Sequence, residues 1–314
     1  MKDPMFAPGV EVTDWELLKK FNGMALINVY TQLMSSIGIA ITMIFSGNMG
    51  DERIQTAVGI GNSLTFIFLI TACGGSIRGL DTLQTAAYGV GDMYLNGVYL
   101  NRARFFCTLC YVPLALGILI FADPLCHMFT KDEVIISYTK DYLHGMVPAV
   151  YFMGLSDAQK RWLINMKITH VAAISNTVTL PVHIGCCYVF TISLGMGIAG
   201  LGYACMVSAM FVYCLLLIQT AMITRIRESV FLPNMDTYRG LKPFVAIGIK
   251  MICIMMAFVL ALEARLIFAG QLGDSEVAAT AAMVNISYSI QTIGQGVQIS
   301  NIALFGNLLG ENQP

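Results

Sequence analysis

Glu263 is the side chain of this sequence with the clearest capacity for chemistry, because it is an acid within a long apolar stretch. A charged carboxylate in hydrocarbon costs about 3 kcal/mol or more unless it faces the interior of a helical bundle or takes up a proton. Either outcome would suit a group that binds a proton or a cation. The structural alternative is that Glu263 reaches the headgroup region beside Arg265.

Uncharged polar side chains within the apolar stretches form a second group of candidates. Amides at such positions hydrogen-bond between helices as readily as they line a path through a membrane, and both interpretations stay open. The candidates for lining a cavity are Gln32, Asn62, Asn285 and Gln291.

Patterns typical of enzymes and metal sites are absent from the sequence. Cys107 and Cys110 have no second ligand pair, and His183 beside two cysteines is interpreted as part of an apolar helix face. There is no nucleophile with a neighbouring base and no phosphate-binding loop of the form G-x-x-x-x-G-K-[ST]. The sequence therefore predicts no enzyme activity, no cofactor and no metal site.

The composition is that of a membrane protein. The 314 residues are 56% hydrophobic and 12% charged, whereas soluble domains carry about 25% charged residues. With 18 basic and 19 acidic side chains the net charge is −1, so no bulk field exists to hold nucleic acid. The composition therefore excludes a water-soluble globule and a nucleic-acid-binding protein.

Charge-free gaps predict where the chain crosses the bilayer, since a spanning helix needs about 20 mostly apolar residues. The fourth span has charged ends, and the long gap at 168–224 is divided in two at its glycine-rich centre. The prediction is an all-α, polytopic transmembrane bundle of eight spans. They fall within 21–50, 54–77, 105–122, 138–158, the two parts of 168–224, 243–268 and 277–310.

The basic residues of the connecting segments predict the orientation of the bundle. With eight spans, fourteen Lys and Arg residues lie on one side and four on the other, and the richer side is cytoplasmic by the positive-inside rule. Both termini are therefore expected in the cytoplasm, in the plasma membrane or an endomembrane. The polar first twenty residues argue against a cleaved signal peptide.

An internal repeat predicts how the spans are organised. The octapeptide that begins at Ile44 recurs at Ile267 with five identities at an offset of 223 residues, and the same offset places Asn62 on Asn285. Six spans lie between the copies, which predicts two parallel halves related by an axis along the membrane normal. Four helices of the second half are then missing, as in a fragment or a truncated or split protein. The predicted parts are a cytoplasmic segment (1–20), a six-helix first lobe (21–225), a linker (226–241) and the start of a second lobe (242–314).

A segment after the second span resembles the signature of eukaryotic multidrug and toxic compound extrusion (MATE) transporters. It reads GLDTLQTAAYG from Gly79 to Gly89, followed by GVYLNR, which ends at Arg102. The resemblance runs from about residue 15 to the end and covers roughly two-thirds of a typical member. Further matching passages are Gln32-Leu33-Met34, Lys160-Arg161-Trp162-Leu163 and Gly306-Asn307-Leu308-Leu309-Gly310.

The resemblance implies a twelve-span secondary transporter that exports small amphipathic organic cations in exchange for protons or sodium by alternating access. It implies a monomer, with a separate chain supplying the missing helices if these are needed. Glu263 matches the second acid of the family's seventh span, whereas Phe258 and Asn285 stand where members have acids and Leu304 stands where members have an arginine. The signature residues Asp81, Thr82, Tyr88 and Gly89 are expected in a cytoplasmic loop.

Two local interpretations concern this loop. Asp81 with Gln84 three residues on is typical of a helix N-cap. Arg102 and Arg104 are expected to anchor the third span at anionic lipid headgroups.

Three other functions stay open. The chain could be an inactive truncated product or a non-transporting membrane receptor. A lipid-linked precursor flippase is less favoured, because no arginine lies deep in a predicted span.

Overall fold

The computed structural model describes residues 14–272 and 274–310, and the described elements are helices joined by short connections. The helices are α1 (Asp14–Gly47), α2 (Glu52–Thr65), α3 (Thr71–Ile77), α4 (Thr85–Val90), α5 (Met93–Ile120), α6 (Ala122–His127), α7 (Glu133–Asn165), α8 (His170–Tyr188), α9 (Gly197–Met222), α10 (Met235–Tyr238), α11 (Leu241–Leu272) and α12 (Asp274–Gly310).

Within the described residues, six helical segments are long and apolar enough to cross a membrane, which confirms the all-helical membrane bundle and six of the eight predicted spans. The fourth and eighth spans were predicted where α7 and α12 lie, which are 33 and 37 residues long. At 1.5 Å per residue each helix exceeds the 30 Å of a bilayer's hydrocarbon, and their crossing stays a prediction. The six segments are Trp15–Gly47, Glu52–Val90, Met93–Ile120, His170–Ser193, Gly197–Met222 and Leu241–Leu262.

The second segment, Glu52–Val90, contains α2, α3 and α4 in one helical run. π-Helical turns at Phe66–Ile70 and Leu80–Gln84 join the three helices. Single π-helical turns usually occur in this way, inside a longer α-helix. The MATE-like signature is therefore helical, and the expectation that it forms a loop is wrong. Some of its side chains, such as Leu80 and Gln84, are accordingly buried against neighbouring helices, whereas Thr82 is exposed.

The helix α7 is at the centre of the bundle formed by α1 to α9 and packs against α9, α2 and α5. At its crossing with α9, a Cβ on Gly145 would overlap the backbone of Gly202 and Tyr203, and one on Gly202 would overlap the Tyr142 carbonyl. Small residues let membrane helices approach this closely. The buried Tyr142 also donates its hydroxyl to Asn62 Oδ1 at 2.9 Å, which joins α7 to α2.

The connection between α9 and α11 is a folded segment that is docked on α5. It begins with a 3-10 turn over Thr224–Ser229 and continues to α10. Asn101 Nδ2 in α5 donates to the Phe231 carbonyl at 3.0 Å, and Ser229 Oγ donates to the Met93 carbonyl at 2.6 Å. The segment is thereby held along the first turns of α5.

Arg102 completes this docking and contradicts the expectation that it binds lipid headgroups. Its side chain is 9% exposed and donates to the carbonyls of Asp236 and Thr237, at 2.9 and 3.2 Å, and to that of Arg239. These carbonyls lie at the end of α10, where the helix has no partners of its own for them. The guanidinium also lies 5.3 Å from the centroid of the Tyr99 ring.

Candidate functional site

A cavity of about 300 Å³ lies inside the α1–α9 bundle, between α1, α2, α7, α8 and α9. This is the lower end of the range for small-molecule sites. Met34, Met146 and Met153 supply part of its apolar wall, and methionine side chains adapt readily to differently shaped contacts. Its polar lining includes Ser35, Thr42, Asn62, Asn176, His183 and Ser208.

His183 is the centre of a hydrogen-bonded cluster in this cavity. Its Nε2 lies 3.0 Å from Thr42 Oγ1 in α1, and its Nδ1 lies 3.0 Å from Ser208 Oγ in α9. A neutral imidazole has one donor and one acceptor, so the two hydroxyls satisfy both ring nitrogens. The interpretation of His183 as part of an apolar helix face is therefore wrong.

Amides hold the cavity wall together. Asn176 Nδ2 in α8 donates to the Thr31 carbonyl at 3.0 Å and to Ser35 Oγ at 2.8 Å, both in α1. Asn62, one of the amides selected from the sequence, lines the cavity opposite and is oriented by the hydroxyl of Tyr142. The wall thus presents fixed dipoles to whatever occupies the cavity.

Asp157 is the one carboxylate among the described residues that line the cavity. It lies 3.5 Å from Lys160, one turn further along α7. Because this pair is formed within one helix and the Asp157 side chain is 57% exposed, the carboxylate is free to exchange Lys160 for another cation. Lys160 lines the cavity as well, so the lining combines this ion pair with methionines and hydrogen-bonding groups.

Asp81 of the signature forms an ion pair with α7 and does not act as an N-cap. Its Oδ2 lies 3.0 Å from Arg161 Nη1, and the two side chains are only 11% and 18% exposed. Gln84 does not reach back to a helix start either, since its Nε2 donates to Asn96 Oδ1 at 3.0 Å and to the Trp162 carbonyl at 3.2 Å. The N-cap interpretation is therefore wrong, because both side chains are used to join α2–α4 to α5 and α7.

We expect Asp81→Asn and Arg161→Gln each to lower the free energy of unfolding by about 2 kcal/mol, between the values for exposed and buried pairs. The double variant should lose little more than either single variant, because the second change removes a charge that has already lost its partner. Unfolding in detergent, followed by circular dichroism, measures this. The control is the exposed pair of Lys140 and Asp123, 2.8 Å apart, whose loss should cost under about 1 kcal/mol. If the losses of the Asp81 and Arg161 variants simply add in the double variant, the two residues do not stabilise the fold as a pair.

A second feature is the contact between α12 and the end of the bundle that holds Gly89, which we call the glycine seam. A Cβ on Gly306 would lie 2.5 Å from Thr85 Oγ1, and one on Gly310 would lie 2.6 Å from the Ala86 carbonyl oxygen. A Cβ on Gly89 would lie 2.5 Å from the Asn307 carbonyl oxygen. The glycines therefore allow α4 and α12 to touch along their backbones.

Hydrogen bonds extend the glycine seam along α7 and α1. Asn307 Nδ2 donates to the Asn165 carbonyl at 2.9 Å, at the last residue of α7. Further along α12, Ser300 Oγ accepts from Asn28 Nδ2 at 2.7 Å and Gln295 Oε1 accepts from Gln32 Nε2 at 3.1 Å. Gln32 thus joins α1 to α12 and is not among the residues that line the cavity.

The helix α11 meets the bundle through Gly75 of α3, Gly79 just after α3 and its own Gly248. A Cβ on Gly75 would lie 2.6 Å from Ile252 Cα, and one on Gly79 would lie 2.8 Å from the Phe244 ring. A Cβ on Gly248 would lie 2.5 Å from the Phe106 ring. Both α11 and α12 therefore make close contact with the bundle.

The remaining residues selected from the sequence are not brought together in one site. Gln291 is partly exposed on α12 and does not line the cavity. Glu263 and Asn285 fall on α11 and α12, and their side chains lie outside the described part of the structure. In the signature, Tyr88 Oη accepts from Arg225 Nη2 at 2.6 Å, and Thr82 is exposed.

Sequence reasoning missed Asn176 and His183 as parts of the cavity and Asn165 as part of the seam. The first two are polar residues inside an apolar run, the same signal that selected Asn62. Asn307 contacts the backbone carbonyl of Asn165. Every residue has such a carbonyl, so the sequence gives no signal for this contact.

Comparison with known proteins places this arrangement among transporters. Residues 28–189 match the family model described as MatE. "Protein DETOXIFICATION 26" of Arabidopsis thaliana is 28% identical over 192 residues, which are 61% of this chain and 39% of that protein. "Protein DETOXIFICATION 7" of the same plant is 26% identical over 249 residues, or 78% and 49% of the two chains. An uncharacterized transporter of Schizosaccharomyces pombe is 25% identical over 306 residues, or 94% and 55%. The chain spans about half the length of the curated relatives it matches.

Solved structures share the fold over nearly the whole chain. The crystal structure of the eukaryotic MATE transporter AtDTX14 has a TM-score of 0.88 at 18% identity and covers 96% of this chain and 67% of that one. The Vibrio cholerae MATE transporter VcmN in its bent form has a TM-score of 0.82 at 15% identity, with 95% and 67% covered. At these identities the likeness concerns the fold alone.

Proposed function

The chain belongs to the MatE family of membrane transporters, and from this premise we propose that it exports amphipathic organic cations in exchange for protons or sodium by alternating access. The relatives' names support export, since two of them are described as detoxification proteins. We further propose the division into a first lobe at 21–225, a linker at 226–241 and the start of a second lobe at 242–314, with both termini in the cytoplasm.

The observation that carries this proposal is that the contacts between the two proposed lobes gather at one end. Among the described side chains they involve Phe244 to Met255 on α11 and Gln295 to Gly310 on α12, which is the half of each helix nearest Gly89. A cleft between the lobes that is closed at this end is one of the two states that alternating access requires.

The cavity supports an organic cation as the transported compound. Asp157 offers a negative charge to a cation that replaces Lys160, which lines the same cavity, and methionines offer the polarizable surface that promiscuous binding sites use. The seam lies at the end that the positive-inside rule assigns to the cytoplasm, so the described state would open to the outside.

Reconstitution into liposomes tests the proposal directly. The 314-residue chain should move a fluorescent lipophilic cation against its gradient when a pH gradient or a sodium gradient is imposed, and the two gradients are applied separately to identify the coupling ion. A folded, helical protein that moves no cation under either gradient would contradict the proposal. That result would favour an inactive product or a receptor.

Glu263→Gln should abolish proton-driven transport and leave insertion into the membrane intact, because the amide keeps the shape of the carboxyl group and cannot release a proton. The expected result is loss of the pH-driven rate with a normal elution profile in detergent. The matched control is Glu228→Gln, which alters an exposed acid in the 3-10 turn after α9 and should leave transport unchanged. Unchanged proton-coupled transport by Glu263→Gln would remove this residue from the mechanism.

A further inference from the structure

Arg104 is a cation of the α5 helix that has no acidic partner in the described residues. Its Nη2 donates to Gln159 Oε1 in α7 at 2.6 Å, and none of the ion pairs of the described chain includes it. Its Nε is enclosed and makes no hydrogen bond. A partly buried guanidinium that is held only by an amide oxygen still lacks a counter-charge, and such a group gains from binding an anion.

Arg104 and the groups around it lie over α7 in the space between α5 and α9, which we call the groove. The helix α7 packs against both of them, and Gln159 lies buried between them, with its Nε2 donating to Thr220 Oγ1 in α9 at 2.9 Å. Tyr213 lies two helical turns before Thr220 and therefore on the same side of α9. Arg104, Gln159 and Thr220 thus form a connected polar row across three helices.

The polar row lies close to one membrane boundary. Thr220 is two residues before the end of α9 and Gln159 six before the end of α7, which is about 3 and 9 Å by the helical rise. Arg104 begins deeper, but helical side chains lean toward the helix N-terminus, and the N-terminus of α5 is at this same end. The guanidinium therefore extends from the hydrocarbon toward the headgroup level.

The groove borders on lipid. Leu109 of α5 and Leu217 of α9 are exposed apolar side chains of the helices that flank it. Phe152 and Tyr213, whose ring centroids are 6.5 Å apart, extend the wall into the hydrocarbon above the polar row. A molecule that fits must present an anion at the boundary and an apolar chain beside these aromatic rings.

We propose that Arg104, with Gln159 and Thr220, binds the phosphate of an anionic phospholipid in the leaflet on the Gly89 side, with an acyl chain packed against Phe152 and Tyr213. Arginine suits this role because its planar N–H groups match a phosphate. The site is separate from the cavity, which Arg104 does not line, and it does not depend on the proposed transport. The lipid contact expected of Arg102 and Arg104 from the sequence is thus assigned to Arg104 alone.

Lipid retention by the purified 314-residue chain tests the site. In native mass spectrometry, phosphatidylglycerol should stay bound to the unaltered protein, and Arg104→Gln should weaken its apparent affinity about fivefold. The matched control is Arg227→Gln, which removes an exposed arginine of the 3-10 turn at the same end and should leave the affinity unchanged. Equal affinity in the Arg104 variant, or equal losses in both variants, would overturn the proposal.

Two further experiments identify the bound molecule and test the site even if Arg104→Gln fails to fold. Millimolar inorganic phosphate should not displace the lipid, and complete displacement would show that the site takes a soluble anion instead. A phospholipid with a photoactivatable acyl chain, added to the unaltered protein, should label peptides that contain Phe152 or Tyr213. Labelling confined to other helices would overturn the proposal without any substitution.

Discussion

Gly306→Leu should separate α12 from the bundle and abolish transport. The Cβ alone would lie 2.5 Å from Thr85 Oγ1, and a leucine adds three further carbon atoms at a point where both backbones are close. Overpacking of this kind costs about 1–3 kcal/mol, which changes the ratio of the closed to the open state by about 5- to 150-fold. A transporter that cannot close this end would leak or stall.

The separation is measured by the reactivity of a cysteine placed behind the glycine seam. Ser300 is fully buried, so Ser300→Cys, in a protein whose exposed Cys214 and Cys253 are replaced by serine, should react slowly with a water-soluble maleimide. Adding Gly306→Leu should raise that rate at least tenfold. Gly117→Leu is the control and should leave the labelling rate unchanged, because a Cβ on Gly117 meets nothing within 4 Å. Equal labelling of Ser300→Cys with and without Gly306→Leu would show that the glycine seam does not close this end.

Gly145→Leu should prevent the bundle from folding. The side chain would have to occupy the space of the Gly202 and Tyr203 backbone, and a backbone cannot move aside as the end of a flexible side chain can. The cost is expected at about 3 kcal/mol or more, a large fraction of the stability of most proteins. The stability that is lost is that of the crossing of α7 and α9, and the other helices of the bundle are arranged around this crossing.

The folding defect is measured by fluorescence-detected size exclusion after brief heating in detergent. Gly145→Leu should give aggregated protein under conditions in which the unaltered chain elutes as one symmetrical peak. Gly185→Leu makes the same change at an exposed glycine of α8 with nothing within 4 Å of its Cβ, and should elute normally. A normal peak for Gly145→Leu would mean that α7 and α9 can move apart at little cost.

The helices could be predicted from the sequence because lipid makes charge placement expensive. A charge within hydrocarbon costs several kcal/mol, so the gap from Lys20 to Asp51 marks a helix without any knowledge of its neighbours. The α7 helix is the instructive case, since its charged ends hide it from an apolar-length criterion. Its place is predicted from the short gap between Asp141 and Asp157, and the distribution of basic residues between the two sides of the membrane supports it.

The contacts of individual side chains could not be predicted in the same way. Asp81 was assigned to a local cap, but its partner Arg161 is 80 residues away in the chain. Arg102 was assigned to lipid, but it binds carbonyls 134 to 137 residues away. Local patterns report what a residue is able to do, whereas the choice among partners depends on which helices become neighbours.

The docking of the segment before α11 decides where the chain is able to bend. Because Arg102 and Asn101 hold that segment against α5 up to Arg239, the segment cannot act as a flexible linker. Any rotation of α11 relative to the bundle must then be taken up by the backbone torsion angles of Arg239 and Gly240. Gly240 already has a φ of +67°, a value that costs glycine little free energy and other residues more. The joint between the two proposed lobes is thus about two residues long, and lengthening the chain elsewhere in the segment would not loosen it.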